Sequence, residues 1–397
     1  MKKDFFKKLA ATLCSVMLFS SVGCGSVQTE TTVTEDSSEA ASVASVTAAV
    51  DQASVESSQE AQVATSNESR VNADGTITIV DQLGKTIELD GVPERVVTTI
   101  MPFPYIFYAV VGNNENLVGC NPSSIVAYND SALKYMYLEL ANASTEFVDT
   151  SFVVNVEELI KLQPDVVFQW NYMEDEIKKM EDAGIKVIAL QYGSIDDLET
   201  WIQIIATMMG KPERAQELIA YFHAQVDEVD AALADLTEED FTNVLLLSDD
   251  MKVTGTGFSS YWLEHSGATN PAGDLSGEAL NINMEQVYEW NPSIIYIGNF
   301  TELQPSDLLE NKLEGEDWSV VEAVQSGQVY KIPIGGYRWD PPGVETPLMI
   351  KWLAKIQHPE AFEDMDMNEE VKEFYKEVYN FELTDEMLNE ILGDTQN

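Results

Sequence analysis

Two segments of this chain repeat one another at a separation of 128 residues, and that repeat limits the fold more than any other feature. Asn155-Val-Glu157-Glu-Leu-Ile-Lys-Leu-Gln-Pro164-Asp-Val-Val-Phe168 aligns with Asn283-Met-Glu285-Gln-Val-Tyr-Glu-Trp-Asn-Pro292-Ser-Ile-Ile-Tyr296. In each copy Asn opens a helix, Glu or Gln stands three places on as in a capping box, and Pro starts the turn into a buried strand. The spacing is close to the size of one small domain. It predicts two lobes of related topology with a cleft between them.

The surrounding pattern is α/β. Thr76–Val80 and Lys85–Leu89 alternate with period two around a Gly turn and read as a hairpin. Val96–Ile100, Asp165–Phe168 and Lys186–Leu190 are short apolar strands of a first lobe; Asn243–Leu247, Ser293–Ile297 and Gln328–Ile332 belong to a second. Short strands alternating with helices indicate parallel-dominated sheets, with functional loops at the strand C-termini. Between the two series lies a helical run with Ala215, Leu218, Ile219, Phe222 and Val226 at helical spacing, which suits a connector.

The N-terminus is different material. Four lysines precede an apolar run from Leu9 to Phe19, too short to span a bilayer, and Ser21-Val-Gly-Cys24 follows. Small residues before a cysteine resemble a lipobox, with Ser21 where Leu is usual, so Cys24 is the expected lipidation site. Residues 25–70 hold 16 Ser or Thr and no Leu, Ile, Met or aromatic residue, too little apolar area to offset ordering entropy. The division predicted is a signal peptide over 1–23, a tether over 24–72, a first lobe over 73–210, a connector helix over 211–238, a second lobe over 239–362 and an acidic helical extension over 363–397, with Val371, Phe374, Tyr375, Val378 and Tyr379 on one face expected to pack on the second lobe. The net charge of −46 excludes a nucleic-acid partner, because phosphate contacts need an excess of Lys and Arg. Cys120, alone once the leader is gone, reads as a buried small hydrophobe.

From Thr76 to Phe362 the chain resembles the substrate-binding proteins of ABC importers, and within them the group that takes iron–siderophore complexes, haem and corrinoids. The segments that carry the resemblance are Ile79–Leu89, Pro93–Val97, the two repeat copies, Gly184–Ile188, Met209–Ala215, Ala323–Tyr330 and Trp352–Glu360. It implies two Rossmann-like lobes joined by one long rigid helix, a ligand cleft between them and small closure. It also implies a monomer with no cofactor and no enzymatic activity, partnered by an ABC permease and its ATPase. One exposed glutamate per lobe would meet permease arginines, and Glu157 and Glu285 stand at the matching positions. The expected cargo is an iron chelate (siderophore or haem), with a corrinoid or an oxyanion such as molybdate as alternatives.

Ligand contacts are expected from loops after the strands: Phe103 and Tyr105, Trp170 and Tyr172, and Tyr192 in the first lobe; Lys252, Asn299, Tyr337, Arg338 and Trp339 in the second. The aromatics would suit a flat organic face. Arg338 would pair with a carboxylate or oxyanion, since guanidinium offers a planar fork of donors. Haem would take an axial Tyr105, Tyr172 or Tyr337. His223, His265 and His358 lie on separate segments without metal-ligand spacing. Gly255-Thr-Gly-Phe-Ser259 is not a nucleophile elbow, which disfavours a hydrolase.

Overall fold

A computed structural model describes residues 69–393 apart from 113, 114, 276 and 278. Cys24, the leader and nearly all of the tether lie outside the described residues. The folded body begins earlier than the predicted position 73. Strand β1 (Arg70–Val71) pairs antiparallel with β2 (Ile77–Val80), which pairs in turn with β3 (Thr86–Leu89). The expected hairpin is thus the centre of a three-stranded sheet. Buried Asp81 accepts from the amides of Leu83, Lys85 and Ala189, fixing the hairpin turn to the first lobe.

The first lobe contains the parallel strands β4 (Val96–Thr98), β5 (Leu117–Gly119), β6 (Val166–Trp170) and β7 (Val187–Leu190), in the order β5-β4-β6-β7. Every residue of β6 and β7 is buried, as expected for strands covered on both faces. Helices α1 (Phe103–Val111), α2 (Pro122–Asn129), α3 (Val156–Lys161) and α4 (Ile195–Met208) accompany them. Helix α5 (Pro212–Ala232) is the connector. It is shorter than the predicted 211–238, because Thr237 and Asp240 form a separate capped turn beyond it.

The second lobe is built on β8 (Thr242–Asp249), β9 (Lys252–Val253), β10 (Ala268–Thr269), β11 (Leu280–Asn281), β12 (Ile294–Ile297) and β13 (Val329–Lys331). The sheet path is β11-β9-β8-β12-β13, with β10 beside β8. The pairs β8–β12, β12–β13 and β8–β10 are parallel, and β9 runs antiparallel to its neighbours. Helices α6 (Met284–Trp290) and α7 (Thr346–Gln357) belong here.

The repeat persists in the backbone. Asn155 caps α3 and Asn283 caps α6, and the residue before each proline is left-handed, Gln163 with φ 46° and Asn291 with φ 38°. Only the second copy closes the expected capping box. In the first, the Asn155 amide already donates to the Phe147 carbonyl (2.8 Å), and the Glu158 carboxylate turns to Lys161 (2.7 Å).

Alternation along the strands explains how the lobes join. Val97 and Val167 face a private first-lobe cluster, and Leu245, Leu247, Ile295 and Ile297 a private second-lobe one. Their neighbours Val96, Val166, Phe168, Val244, Leu246 and Tyr296 face one large core shared by both lobes. Helix α5 runs through that core, packing on α1, α4 and α7 with Ala215, Leu218, Phe222, Val226 and Val229 buried.

The C-terminal extension forms α8 (Met367–Tyr379) and α9 (Asp385–Leu392). Its apolar face is the expected one, with Val371, Phe374, Tyr375, Val378 and Tyr379 buried. Its placement differs from the packing expected on the second lobe alone. Helix α8 touches both α7 and α1, Arg214 of the connector donates to the Val378 carbonyl (2.7 Å), and Glu390 on α9 pairs with Lys134 (3.2 Å) and Tyr135 of the first lobe.

Candidate functional site

At the C-terminal ends of β12 and β13 the chain turns toward the first lobe. A cavity of about 270 Å³ opens there, its lining including Asn299, Thr301, Glu302, Lys331, Tyr337 and Arg338 of the second lobe and Ala127 and Asp130 at the end of α2. Arg338 is 6% exposed. Its Nε donates to the Asn299 carbonyl (3.2 Å), and the guanidinium carbon lies 4.8 Å from the Phe300 ring centre and 5.4 Å from that of Tyr337. Carbonyl and rings together hold a cation flat against one wall. Lys331 ends strand β13 and donates to the carbonyls of Gly298 (2.7 Å), Thr301 (3.1 Å) and Leu303 (2.9 Å). Burial pushes its ammonium down to about 8, against the opposing pull of Asp340 and Glu302. Asn299 is itself clamped: its amide donates to Asp340 (2.8 Å) and its side chain to the Ile332 and Pro333 carbonyls.

Behind Phe300 lies a smaller chamber of about 80 Å³ at the ends of β8 and β12. Three buried polar atoms of its lining residues, Ser248 Oγ, Trp262 Nε1 and Asp340 Oδ1, have no hydrogen-bond partner.

The structure separates the residues expected in the cleft. Asn299, Tyr337 and Arg338 line the larger cavity. Phe103 does not reach it: helix α1 starts at Phe103, because Pro102 and Pro104 preset its first turn, and the ring is fully buried against Phe168 (4.3 Å between centres). Trp339 is 1% exposed and belongs to the shared core. Tyr105 also lies behind the wall, stacked on Tyr337 at 5.1 Å. Trp170 closes strand β6 instead of following it, with Tyr172 stacked on it at 5.8 Å and Tyr192 tilted against it at 5.9 Å. Of these three Tyr172 is the exposed one, and the Tyr192 hydroxyl donates across the seam to the Pro342 carbonyl. Lys252 sits in β9, pairs with Asp249 (3.1 Å) and lines neither cavity. The cation that replaces it, Lys331, was legible only as the last residue of a parallel strand; Ala127 and Asp130 carry no sequence signal.

The lobes meet tightly beside the cavity. A Cβ on Gly343 would fall 1.4 Å from the Tyr105 hydroxyl, so only glycine allows the second-lobe chain to pass there. The Ala132 amide donates to the Gly335 carbonyl (2.8 Å). Glu157 and Glu285 are both solvent-exposed on the first turns of α3 and α6. No group of three or more His, Cys, Asp or Glu able to hold a metal occurs among the described residues. His265 pairs with Asp230 (2.8 Å), and His358 bonds the Gly267 carbonyl (2.8 Å). Cys120 is fully buried, which pushes its thiol up to about 12.

Two α/β lobes, a helix threaded between them and a cavity at the strand ends are the arrangement of a solute-binding protein. The sequence profile of the periplasmic binding protein family matches residues 106–334, and the chain belongs to that family. A periplasmic solute binding protein of Veillonella parvula is 34% identical and superposes with a TM-score of 0.75, covering 81% of this chain and 98% of its own. The molybdate-binding protein MolA of Haemophilus influenzae is 27% identical over 249 residues, 57% of this chain and 70% of its own. The iron(3+)-hydroxamate-binding protein FhuD of Bacillus subtilis is 24% identical over 208 residues, 49% of this chain and 64% of its own. The chain is therefore the extracytoplasmic solute-binding component of an ABC importer, working with a permease and an ATPase, and not an enzyme.

Proposed function

We propose that the solute is a small anion, an oxyanion of the molybdate type, held by the Arg338 guanidinium and delivered to the permease from a body anchored through lipid at Cys24. The observation that carries this reading is Arg338 lining a cavity of about 270 Å³. That volume falls below the ~300–1,000 Å³ of sites that enclose drug-sized ligands, so haem and corrinoids are poorly served. The aromatic platform expected for a flat ligand is largely sealed in the core, with Phe103, Tyr105 and Trp339 at 0%, 1% and 1% exposure. The relative named for molybdate supports the same cargo. A compact anionic iron chelate is the second reading, favoured by exposed Tyr172 stacked on Trp170.

Calorimetric titration with molybdate, tungstate, sulfate and a ferric hydroxamate tests both. Wild type takes up molybdate or tungstate, and Arg338→Ala weakens binding about 10- to 100-fold, the value of a charge-assisted hydrogen bond. Arg338→Lys recovers only part of the loss, because a point charge does not replace a fork. Tight ferric hydroxamate binding with no response to the oxyanions overturns the first reading in favour of the second.

A further inference from the structure

The turn that carries Arg338 is held from behind by a single carboxylate, and the C-terminal extension supplies part of the grip. The Ile334 and Arg338 backbones pair antiparallel around Gly335-Gly336-Tyr337. At the tip the amides of Gly336 and Tyr337 donate to the two oxygens of Glu345 (2.9 and 3.1 Å). Glu345 immediately precedes α7 and is 2% exposed. Its Oε1 also accepts from the Tyr375 hydroxyl on α8 (2.7 Å). The neighbouring glycine makes room: a Cβ on Gly335 would sit 2.3 Å from Glu345 Oε1. The same turn faces the other lobe, where Gly335 accepts from Ala132 and Tyr337 stacks on Tyr105.

We propose that Glu345 is a positioning residue for the solute, through which helix α8 of the extension fixes the turn that presents Arg338. An unbroken contact chain carries it: Tyr375 hydroxyl, Glu345 carboxylate, the Gly336 and Tyr337 amides, then the adjacent guanidinium in the cavity. A buried carboxylate is costly to retain unless its bonds are used. Here burial pushes Glu345 up to about 7, opposed by its bonds from Gly336, Tyr375 and Tyr337. An apolar residue would fill the same space at less cost but could not hold two converging amides. The extension, which the sequence left without a role, becomes part of the machinery behind the binding site.

The reading that Arg338 meets an anion underlies the second half of this proposal only, so the test has two arms. Hydrogen exchange on the full chain, without added solute, compares wild type, Tyr375→Phe, Glu345→Gln and Asn283→Ala. Tyr375→Phe removes one oxygen, so the fold is retained, and exchange of the 334–338 segment rises about tenfold, the effect of one bond to a charged acceptor. The β12 segment 294–297 is unchanged. Asn283→Ala, a cap removed far from the turn, leaves the 334–338 segment at its wild-type rate, which separates local positioning from general loss of stability. Glu345→Gln, which keeps an acceptor for one amide, falls between wild type and Tyr375→Phe or beyond it, but not at wild type. Unchanged exchange at 334–338 in Tyr375→Phe, or an equal rise in Asn283→Ala, overturns the proposal. In the second arm molybdate is titrated into the same proteins, and Tyr375→Phe weakens binding by a factor similar to its exchange effect. If wild type binds no molybdate, the anion reading fails while the exchange arm still decides whether Glu345 and α8 hold the turn.

Discussion

Lys331 shows how much a single side chain depends on where the strand stops. Its ammonium saturates three carbonyls of the 298–303 loop and keeps a positive charge at the cavity wall. With burial lowering it to about 8, the group is charged below that pH and neutral above it. Removing this charge weakens attraction for an anion, so molybdate affinity should fall as pH rises from 7 to 9.5. The decline is partial, because the second cation at the wall is a guanidinium. In Lys331→Arg the decline above pH 8 should disappear, because guanidinium does not titrate there. Calorimetry at four or five pH values reads both. At this scale the sequence was only partly legible. Tyr337, Arg338 and Asn299 line the cavity because polar groups at strand ends have few other places to go. Phe103, Tyr105 and Trp339 were ambiguous, since an aromatic ring next to a strand end satisfies a core and a pocket equally well. Which one it enters depends on the direction of a helix start, and Pro102 and Pro104 set that direction for Phe103.

Elements were the most legible level. The repeat located both capped helices, both turns at the prolines and the buried strands that follow them, because each is set by local chemistry within about ten residues. What pattern could not give was partner choice. The first copy abandons its capping box when the Asn155 amide finds Phe147, a contact made by chain outside the motif. The second copy keeps it, with Gln286 donating to Asn283 Oδ1 (3.0 Å) and the Asn283 amide to Gln286 Oε1 (3.1 Å). Asn283→Ala should therefore cost about 1 kcal/mol and lower the melting temperature by roughly 1–2 °C. Asn155→Ala should cost a similar amount, since its side chain serves the amides of Glu157 and Glu158. Differential scanning calorimetry of the two variants checks both. Strand ends were also hard to read: β6 absorbs Gln169 and Trp170 and β8 absorbs Ser248 and Asp249, each expected in a loop.

At the scale of the whole molecule, one core crossing from sheet to sheet makes the lobes a single body, and the sequence hinted at this only through the connector's apolar stripe. The extension was read as an appendage of one lobe because its amphipathic face names no partner; in three dimensions it binds both. The same rigidity bears on docking. Glu157 and Glu285 stand on the first turns of equivalent helices of that one body, and we propose that they dock it on the permease. Reversal of both charges, Glu157→Lys with Glu285→Lys, should abolish permease-dependent uptake while leaving solute affinity within about twofold, as expected of exposed charges far from the cavity. Normal transport by that double variant would remove the two residues from the docking surface.

The seam beside the cavity has a kinetic meaning. Tyr192 on Pro342 and Ala132 on Gly335 are bonds between lobes, not bonds to cargo. Where release of the solute parts the lobes, each must break first, and at about 0.5–1.5 kcal/mol apiece they would slow escape roughly 2- to 10-fold each. The residence time of the cargo is then written partly into the protein's own closure, identical for every solute that fits. Anything that breaks those two bonds would act on that clock first and on the affinity second.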